Sequence, residues 1–268
     1  MSLNRRFFLA GSAATALATP TFAVTSPHLD IDYLERLPEN PALNRDHAFI
    51  PPSQVHPAYS HVIYVDASTR GIGQQKMWVL ERGAAGWDLA MSDQGYWDGK
   101  PNEASYSWPV STGRHYQGDN RSGPTIPGIF NLDERTARYR TGWGSPGMYK
   151  AVYIDLHYSS GRASGIAMHG TTQSKYHRLG AADSHGCVRM RQANMDQLWG
   201  ILHPNGARGE ASPLWGEVPR YFTSAASDRF AARWNYVRDG QLLYDDAGNL
   251  RTKMGYTVLF NVFRTDVA

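Results

Sequence analysis

The sequence contains a single cysteine, Cys187, among its 268 residues. One cysteine cannot form an intramolecular disulfide, so no such cross-link stabilises the chain. A lone cysteine is a buried small hydrophobic residue, an intermolecular link or a working thiol. Taken by itself, Cys187 favours the buried interpretation, and its sequence context must decide among the three.

The sequence also lacks a strong excess of either charge. Its formal net charge is +3, and residues 1–23 contain two arginines and no acidic residue, so removing that segment lowers the charge to +1. No run of Lys or Arg occurs elsewhere. Nucleic acid is therefore not an expected partner.

The apolar stretch from Phe7 to Ala18 is too short to span a bilayer comfortably. It follows Arg5-Arg6 and leads into small residues at 21 and 23, which is typical of a secretory signal. Residues 1–23 are therefore predicted to be a signal peptide, and no stable membrane insertion is expected after cleavage. The paired arginines favour twin-arginine export, with an ordinary secretory signal as the alternative.

Residues 24–57 are punctuated by six prolines and are predicted to run extended over the surface. Beyond them, short β-branched and aromatic runs separated by Gly and Pro predict a mainly β sandwich or barrel-like domain. These runs are 61–66, 76–81, 87–91, 106–111, 128–132, 150–157, 165–169 and 256–263. Residues 192–202 have helical periodicity. Residues 204–252 are predicted to be an insertion before the last strand, with a short helix at 226–236 and a hairpin turning at 245–249.

His169, His185 and the only cysteine lie within nineteen residues, beside a predicted strand end. His169 is followed, after the fourteen residues 170–183 that begin with Gly170, by Ser184-His185-Gly186-Cys187-Val188-Arg189-Met190. An imidazole can take a thiol proton and return it to a leaving amine, and backbone N–H groups of Gly186 and Cys187 are candidate oxyanion donors. Two alternatives stay open on chemistry alone. In the first, His169, His185 and Cys187 bind zinc, for which their side chains are suitable ligands, and Asp183 and His177 are available as further ligands. In the second, these residues serve only in packing.

The same residues resemble the signature of the L,D-transpeptidase (YkuD-type) catalytic domain. Three further stretches are similar to that family, namely 110–113, 125–130 and 147–149, although Ile126 separates Thr125 from Pro127 where the family usually has Thr-Pro. This departure is expected to leave the chemistry untouched. The resemblance covers residues 60 to 203 and the last strand. It implies an L,D-transpeptidase-type β-sandwich with a few peripheral helices and a C-terminal insertion, within a catalytic domain at 58–268.

By position, the resemblance implies Cys187 as the nucleophile and His169 as the base, with the Gly170 carbonyl orienting His169. His185 is expected to support the site. Candidates for substrate contact are Arg189, Tyr149 and Ser184. Arg189 could instead organise the loop or form a surface salt bridge, and Tyr149 could line the cleft or contact the oxyanion. Trp143 is a candidate for a flap over the cleft.

The implied activity is a periplasmic transpeptidase that cross-links peptidoglycan stem peptides through a cysteine thioester, with no cofactor. The linkage type stays open: it joins two third-position residues, uses the first position, or attaches a protein to the wall. Penem-type β-lactams are expected to acylate the thiol. The alternatives are an L,D-carboxypeptidase or endopeptidase on the same site, a zinc amidase and a non-catalytic wall-binding module.

Overall fold

The computed structural model describes residues 28–39, 49–71, 74–91, 107–133, 141–144, 147–157, 162–221 and 242–266. Within these ranges the α-helices are α1 (His28–Arg36) and α2 (Gln192–Leu202). The strands are β1 (His61–Asp66), β2 (Lys76–Gly83), β3 (Gly86–Leu89), β4 (Trp108–Pro109), β5 (Gly128–Asn131), β6 (Trp143–Gly144), β7 (Met148–Tyr153), β8 (Ala167–Gly170), β9 (Val188–Met190), β10 (Trp215–Pro219), β11 (Thr252–Tyr256) and β12 (Val258–Phe263). Short 3-10 helices lie at Leu37–Glu39, Pro52–Gln54, Gln173–Arg178, Pro204–Gly206 and Gly209–Ala211.

The strands form three sheets. The large sheet has the order β3-β2-β1-β12-β5, with β4 paired to β2, and its two central strands β1 and β12 run parallel. The smaller sheet has the order β6-β7-β8-β9, and β10 pairs with β11. The prediction of a mainly β fold is confirmed, and the predicted strand at 61–66 and helix at 192–202 have the bounds that the structure shows.

One core joins the two larger sheets. β1 and β12 are buried along their whole length, as expected for central strands covered on both faces. Apolar side chains of the large sheet, of β7 to β9 and of α2 meet in this core, and α2 contributes Met195, Leu198 and Leu202. The packing holds β8 and β9 rigidly from behind, which is what a site at their ends requires. No helix in the described part of the chain is long and apolar enough to cross a membrane.

The prediction that residues 24–57 run extended over the surface is wrong for α1. No proline lies between Pro27 and Pro38, so nothing in that interval prevents a helix. Leu34 and Leu37 are buried in a second core, on the face of the large sheet opposite the first. Glu35 accepts hydrogen bonds from the Ser53 backbone N–H and hydroxyl, both at 2.7 Å. Helix α1 therefore covers this face of the sheet, while residues 24–27 and 40–48 of the lead-in lie outside the described residues.

The segment before the last strand is built on the β10–β11 pair. The predicted turn is confirmed: Asp245 accepts hydrogen bonds from the N–H groups of Ala247 and Asn249, and Tyr244 bridges to Leu250. The predicted helix at 226–236 lies outside the described residues. The Lys253 ammonium, on β11, donates to the Asp155 carboxylate at 2.6 Å and ties this pair to the end of β7.

Candidate active site

Parallel pairing of β8 with β9 brings the two halves of the motif together. His169 is opposite Arg189 in the ladder, and Met168 is opposite Val188. Cys187 directly precedes β9, two positions before Arg189, and strand alternation continued by one residue puts it on the face of Arg189 and His169, at the edge of the first core. Val188 and Met190 point the other way, into the core. The strand register therefore places Cys187 diagonally across from His169.

His169 is held in one orientation and one tautomer. Its Nδ1 lies 2.8 Å from the Gly170 carbonyl oxygen. Because a carbonyl can only accept, Nδ1 carries the proton and Nε2 is left with a lone pair. This is the hydrogen bond expected if the Gly170 carbonyl orients His169, as the resemblance implies. The side chain is 4% exposed, and burial, aided by the positive charge of Arg189, lowers the pKa of His169 to about 4. At neutral pH the imidazole is an uncharged proton acceptor.

The residues from Asp183 to Cys187 form a turn, here called the nucleophile loop, that is fastened to the segment 111–114. The N–H groups of Asp183 and Ser184 both donate to the Thr112 carbonyl, at 3.0 and 2.9 Å. Ser111 and Arg189 exchange two backbone hydrogen bonds at 2.9 Å each. Backbone hydrogen bonds therefore fix the loop on both sides of Cys187. The Cys187 Sγ lies 3.8 Å from the Gly165 carbonyl oxygen.

Ser184 braces the nucleophile loop from inside. It is fully buried, its hydroxyl donates to the Cys187 carbonyl at 2.5 Å, and it accepts from the Gly186 N–H at 3.1 Å. These contacts direct the Ser184 hydroxyl into the loop, whereas the resemblance made Ser184 a candidate for substrate contact, and they engage the Gly186 N–H, one of the two predicted oxyanion donors. Gly186 has φ +138°, a conformation that favours glycine.

His185 points away from Cys187. Its side chain is 56% exposed, its Nε2 lies 3.2 Å from the Asp119 carboxylate, and its ring stacks on Tyr116 at 4.7 Å between centroids. The hypothesis that His185 only supports the site fits this placement. The zinc alternative required His169, His185 and Cys187 to converge, and among the described residues no three His, Cys, Asp or Glu side chains do so.

Arg189 organises the loop. Its Nη1 donates to the Asp183 carbonyl oxygen at 2.7 Å. The Tyr116 hydroxyl donates to the same oxygen at 2.7 Å, and the Asp183 carboxylate accepts from Arg114 at 3.2 Å. Of the roles considered for Arg189, the structure therefore favours the loop-organising one. Asp183, which the sequence offered only as a spare metal ligand, is the anchor of these contacts.

Tyr149 lies against Gly170, next to His169. It is opposite Gly170 in the β7–β8 ladder, and a Cβ added to Gly170 would come within 2.9 Å of its ring. Its hydroxyl donates to the Asp196 carboxylate at 2.9 Å, so the hydroxyl hydrogen that an oxyanion contact would need is already engaged. Trp143 is 53% exposed and tilts over Tyr149 at 5.4 Å. Of the candidate flap, residues 142–147, the structure describes residues 142–144 and 147.

Gly113, which the sequence analysis named only within the stretch 110–113, packs directly against the nucleophile loop. A Cβ at this position would lie 2.2 Å from the Gly123 carbonyl oxygen, 2.6 Å from the Gly186 Cα and 2.7 Å from the Gly186 N. All three are backbone atoms and cannot rotate away. The Gly113 backbone and the nucleophile loop are therefore packed as closely as a glycine permits.

We expect Gly113→Ala to displace the nucleophile loop and slow Cys187 acylation about 100-fold, because small misplacements at a reacting group carry large rate costs. It should also lower the free energy of unfolding by about 1–3 kcal/mol through overpacking. Gly200→Ala is the matched control, since a Cβ there meets nothing within 4 Å. Denaturant unfolding and the acylation rate check both values. Wild-type acylation by Gly113→Ala would contradict the packing argument.

Comparison with known proteins places this site in a family context. Residues 60–210 match the model of the YkuD L,D-transpeptidase catalytic domain. No curated protein matches the chain. Among solved structures, an L,D-transpeptidase from Mycobacterium smegmatis matches at 16% identity, over 53% of this chain and 54% of that one, with a TM-score of 0.31. L,D-transpeptidase 3 from Mycobacterium tuberculosis matches at 16% identity, over 53% and 57%, with a TM-score of 0.34. The chain thus spans little more than half the length of either structure.

Proposed function

The chain belongs to the L,D-transpeptidase catalytic-domain family, and from this premise we propose that it cross-links peptidoglycan stem peptides through a thioester on Cys187. The observation that carries the proposal is the hydrogen bond from His169 Nδ1 to the Gly170 carbonyl. It leaves the lone pair on Nε2, which is the acceptor that the proposed proton transfer from Cys187 needs. A thiol beside an oriented, neutral imidazole is the arrangement that activates a cysteine nucleophile.

The reaction has two steps. In the first, the Cys187 proton passes to His169 Nε2, and the sulfur attacks the carbonyl carbon of an L-residue that is followed by a D-residue. The C–N bond breaks, His169 returns the proton to the leaving amine, and a D-amino acid departs. In the second, an amine on another stem attacks the thioester, its proton passes through His169 to the sulfur, and the new amide is the cross-link.

Burial tunes His169 for this cycle. An imidazole with a pKa of about 4 stays uncharged over most of the pH range in which a protein is folded. Once Cys187 becomes a thiolate, the adjacent negative charge favours the imidazolium, so the pair exchanges one proton back and forth. Arg189 adds positive charge on the same face and favours the thiolate further.

Export to the periplasm is part of the proposal. The features that support it are the basic, apolar and small-residue regions of 1–23, which lie outside the described residues. A wall-directed transpeptidase needs this location because its substrates lie outside the cytoplasmic membrane. We further propose that penem-type β-lactams acylate Cys187, since their carbonyl offers the same electrophile as the donor peptide.

Defined muropeptides test the proposal. The purified protein is incubated with a tetrapeptide-containing muropeptide, and the products are identified by mass spectrometry. The expected product is a cross-linked dimer with loss of one D-amino acid. A tripeptide without dimer would instead establish the carboxypeptidase alternative, and cleavage of preformed dimers the endopeptidase one. Unchanged substrate, with no acyl-enzyme on Cys187, would overturn the proposal.

A further inference from the structure

The Thr125 hydroxyl joins two backbone segments at the back of the nucleophile loop. Its Oγ1 accepts a hydrogen bond from the Gly113 N–H at 2.8 Å and donates one to the Gly186 carbonyl oxygen at 2.9 Å. Thr125 is 2% exposed. Because the Gly113 N–H can only donate, the hydroxyl hydrogen is left for Gly186. The two partners therefore fix the direction of the hydroxyl.

Fixing the Gly186 carbonyl also fixes the N–H that follows it. The Gly186–Cys187 peptide is a planar unit, and in a trans peptide the C=O and the N–H point in opposite directions. The carbonyl is drawn inward to Thr125, so the Cys187 N–H is aimed away from Thr125. Ser184 holds the next carbonyl, that of Cys187, at 2.5 Å. Hydroxyl groups thus hold both peptide planes that flank the nucleophile.

We propose that Thr125 is a positioning residue that, through the Gly186 carbonyl, aims the Cys187 N–H at the oxyanion formed when the thiol attacks a carbonyl carbon. The proposal rests on the proposed function, because an oxyanion forms only if Cys187 is acylated. The Gly186 N–H already donates to the Ser184 hydroxyl, so stabilisation of the oxyanion depends more strongly on the orientation of the Cys187 N–H. Thr125 touches no reacting atom.

Two probes of the same thiol separate this role from a structural one. Iodoacetamide alkylates a thiolate at a saturated carbon, and no oxyanion forms. Imipenem acylates a thiol through its carbonyl carbon, and an oxyanion does form. The ratio of the two second-order rate constants therefore reports the oxyanion contribution, while folding defects and altered thiol ionisation lower both rate constants together.

We expect Thr125→Val to lower the imipenem rate constant by about 10- to 100-fold and to change the iodoacetamide rate constant by less than about twofold. Thr125→Ser keeps the hydroxyl and should preserve the wild-type ratio to within about threefold. Thr257→Val is the matched control. Its hydroxyl bonds to Leu214 and Ser60, outside the nucleophile loop, so its ratio should equal that of the wild type.

Equal loss of both rate constants in Thr125→Val, or loss of neither, would overturn the inference. If Thr125→Val does not fold, the ratio in Thr125→Ser decides, since a lowered ratio there contradicts a role for the hydroxyl. The proposed function fails differently. In that case wild-type Cys187 reacts with iodoacetamide and with neither imipenem nor muropeptide, whereas wild-type acylation with an unchanged Thr125→Val ratio removes the inference alone.

Discussion

Replacing Cys187 with alanine is expected to abolish acyl-enzyme formation and cross-linking, a loss of at least about 10⁴-fold. The sulfur is the only atom in the site that can form the proposed covalent intermediate. Cys187 is half-buried and contributes packing only at the edge of the core, so the fold should survive with a loss of roughly 1 kcal/mol. Intact-protein mass spectrometry after incubation with imipenem or muropeptide measures the adduct directly.

Cys187→Ser makes the test sharper. A serine hydroxyl retains most of the shape but holds its proton far more tightly than a thiol. His169, with a pKa of about 4, is too weak a base to remove that proton effectively. We therefore expect Cys187→Ser to be nearly as inactive as Cys187→Ala. Product above background from Cys187→Ala would show that another residue carries the reaction.

Replacing His169 with glutamine is expected to slow acylation by about 10³-fold near neutral pH, because no group remains to take the thiol proton. In this variant the rate should climb with pH toward the ordinary thiol pKa of about 8.5, since only spontaneously formed thiolate reacts. The wild-type rate should also rise with pH, but its rise should lie at a much lower pH. It is lost as the pH falls through about 4, where His169 becomes protonated. Imipenem acylation measured across the pH range gives both profiles.

Two other histidines serve as comparisons. His177 lies exposed on the 3-10 helix between the two parts of the motif, and His177→Gln should leave the profile unchanged. His185 is bound to Asp119 and stacked on Tyr116, so His185→Gln should cost less than about tenfold. A larger loss in His185→Gln than in His169→Gln would show that His185, and not His169, is the base.

Local patterns predicted most of the secondary structure. Strand β1 and helix α2 follow directly from apolar periodicity, which depends only on neighbouring residues in the chain. Proline content misled the prediction for α1, because the count of prolines over residues 24–57 hid a proline-free interval between Pro27 and Pro38. The docking of Leu34 against the sheet supplies the burial that makes so short a helix stable.

The nucleophile loop shows where sequence reasoning stopped. The residue types at 169 and 184–187 led to the proposed chemistry, and the resemblance implied Gly170 as the partner of His169, with which it makes a hydrogen bond in the structure. The sequence drew attention to the departure at Ile126, whereas the contact with the nucleophile loop is made by its neighbour Thr125, which bonds directly to Gly186. Pattern analysis could not reveal this contact, because 61 residues separate the two positions.

The sequence by itself determined the groups on which the proposed chemistry depends: one thiol, a histidine at a strand end and a glycine carbonyl beside it. Only the tertiary structure decided how the backbone around the thiol is aimed. It turned His185 outward to Asp119, assigned the Gly186 N–H to Ser184 and drew the Gly186 carbonyl to Thr125. The physical reason is that reactivity belongs to a residue type, whereas each buried N–H and C=O takes whichever partner the packed fold brings within reach.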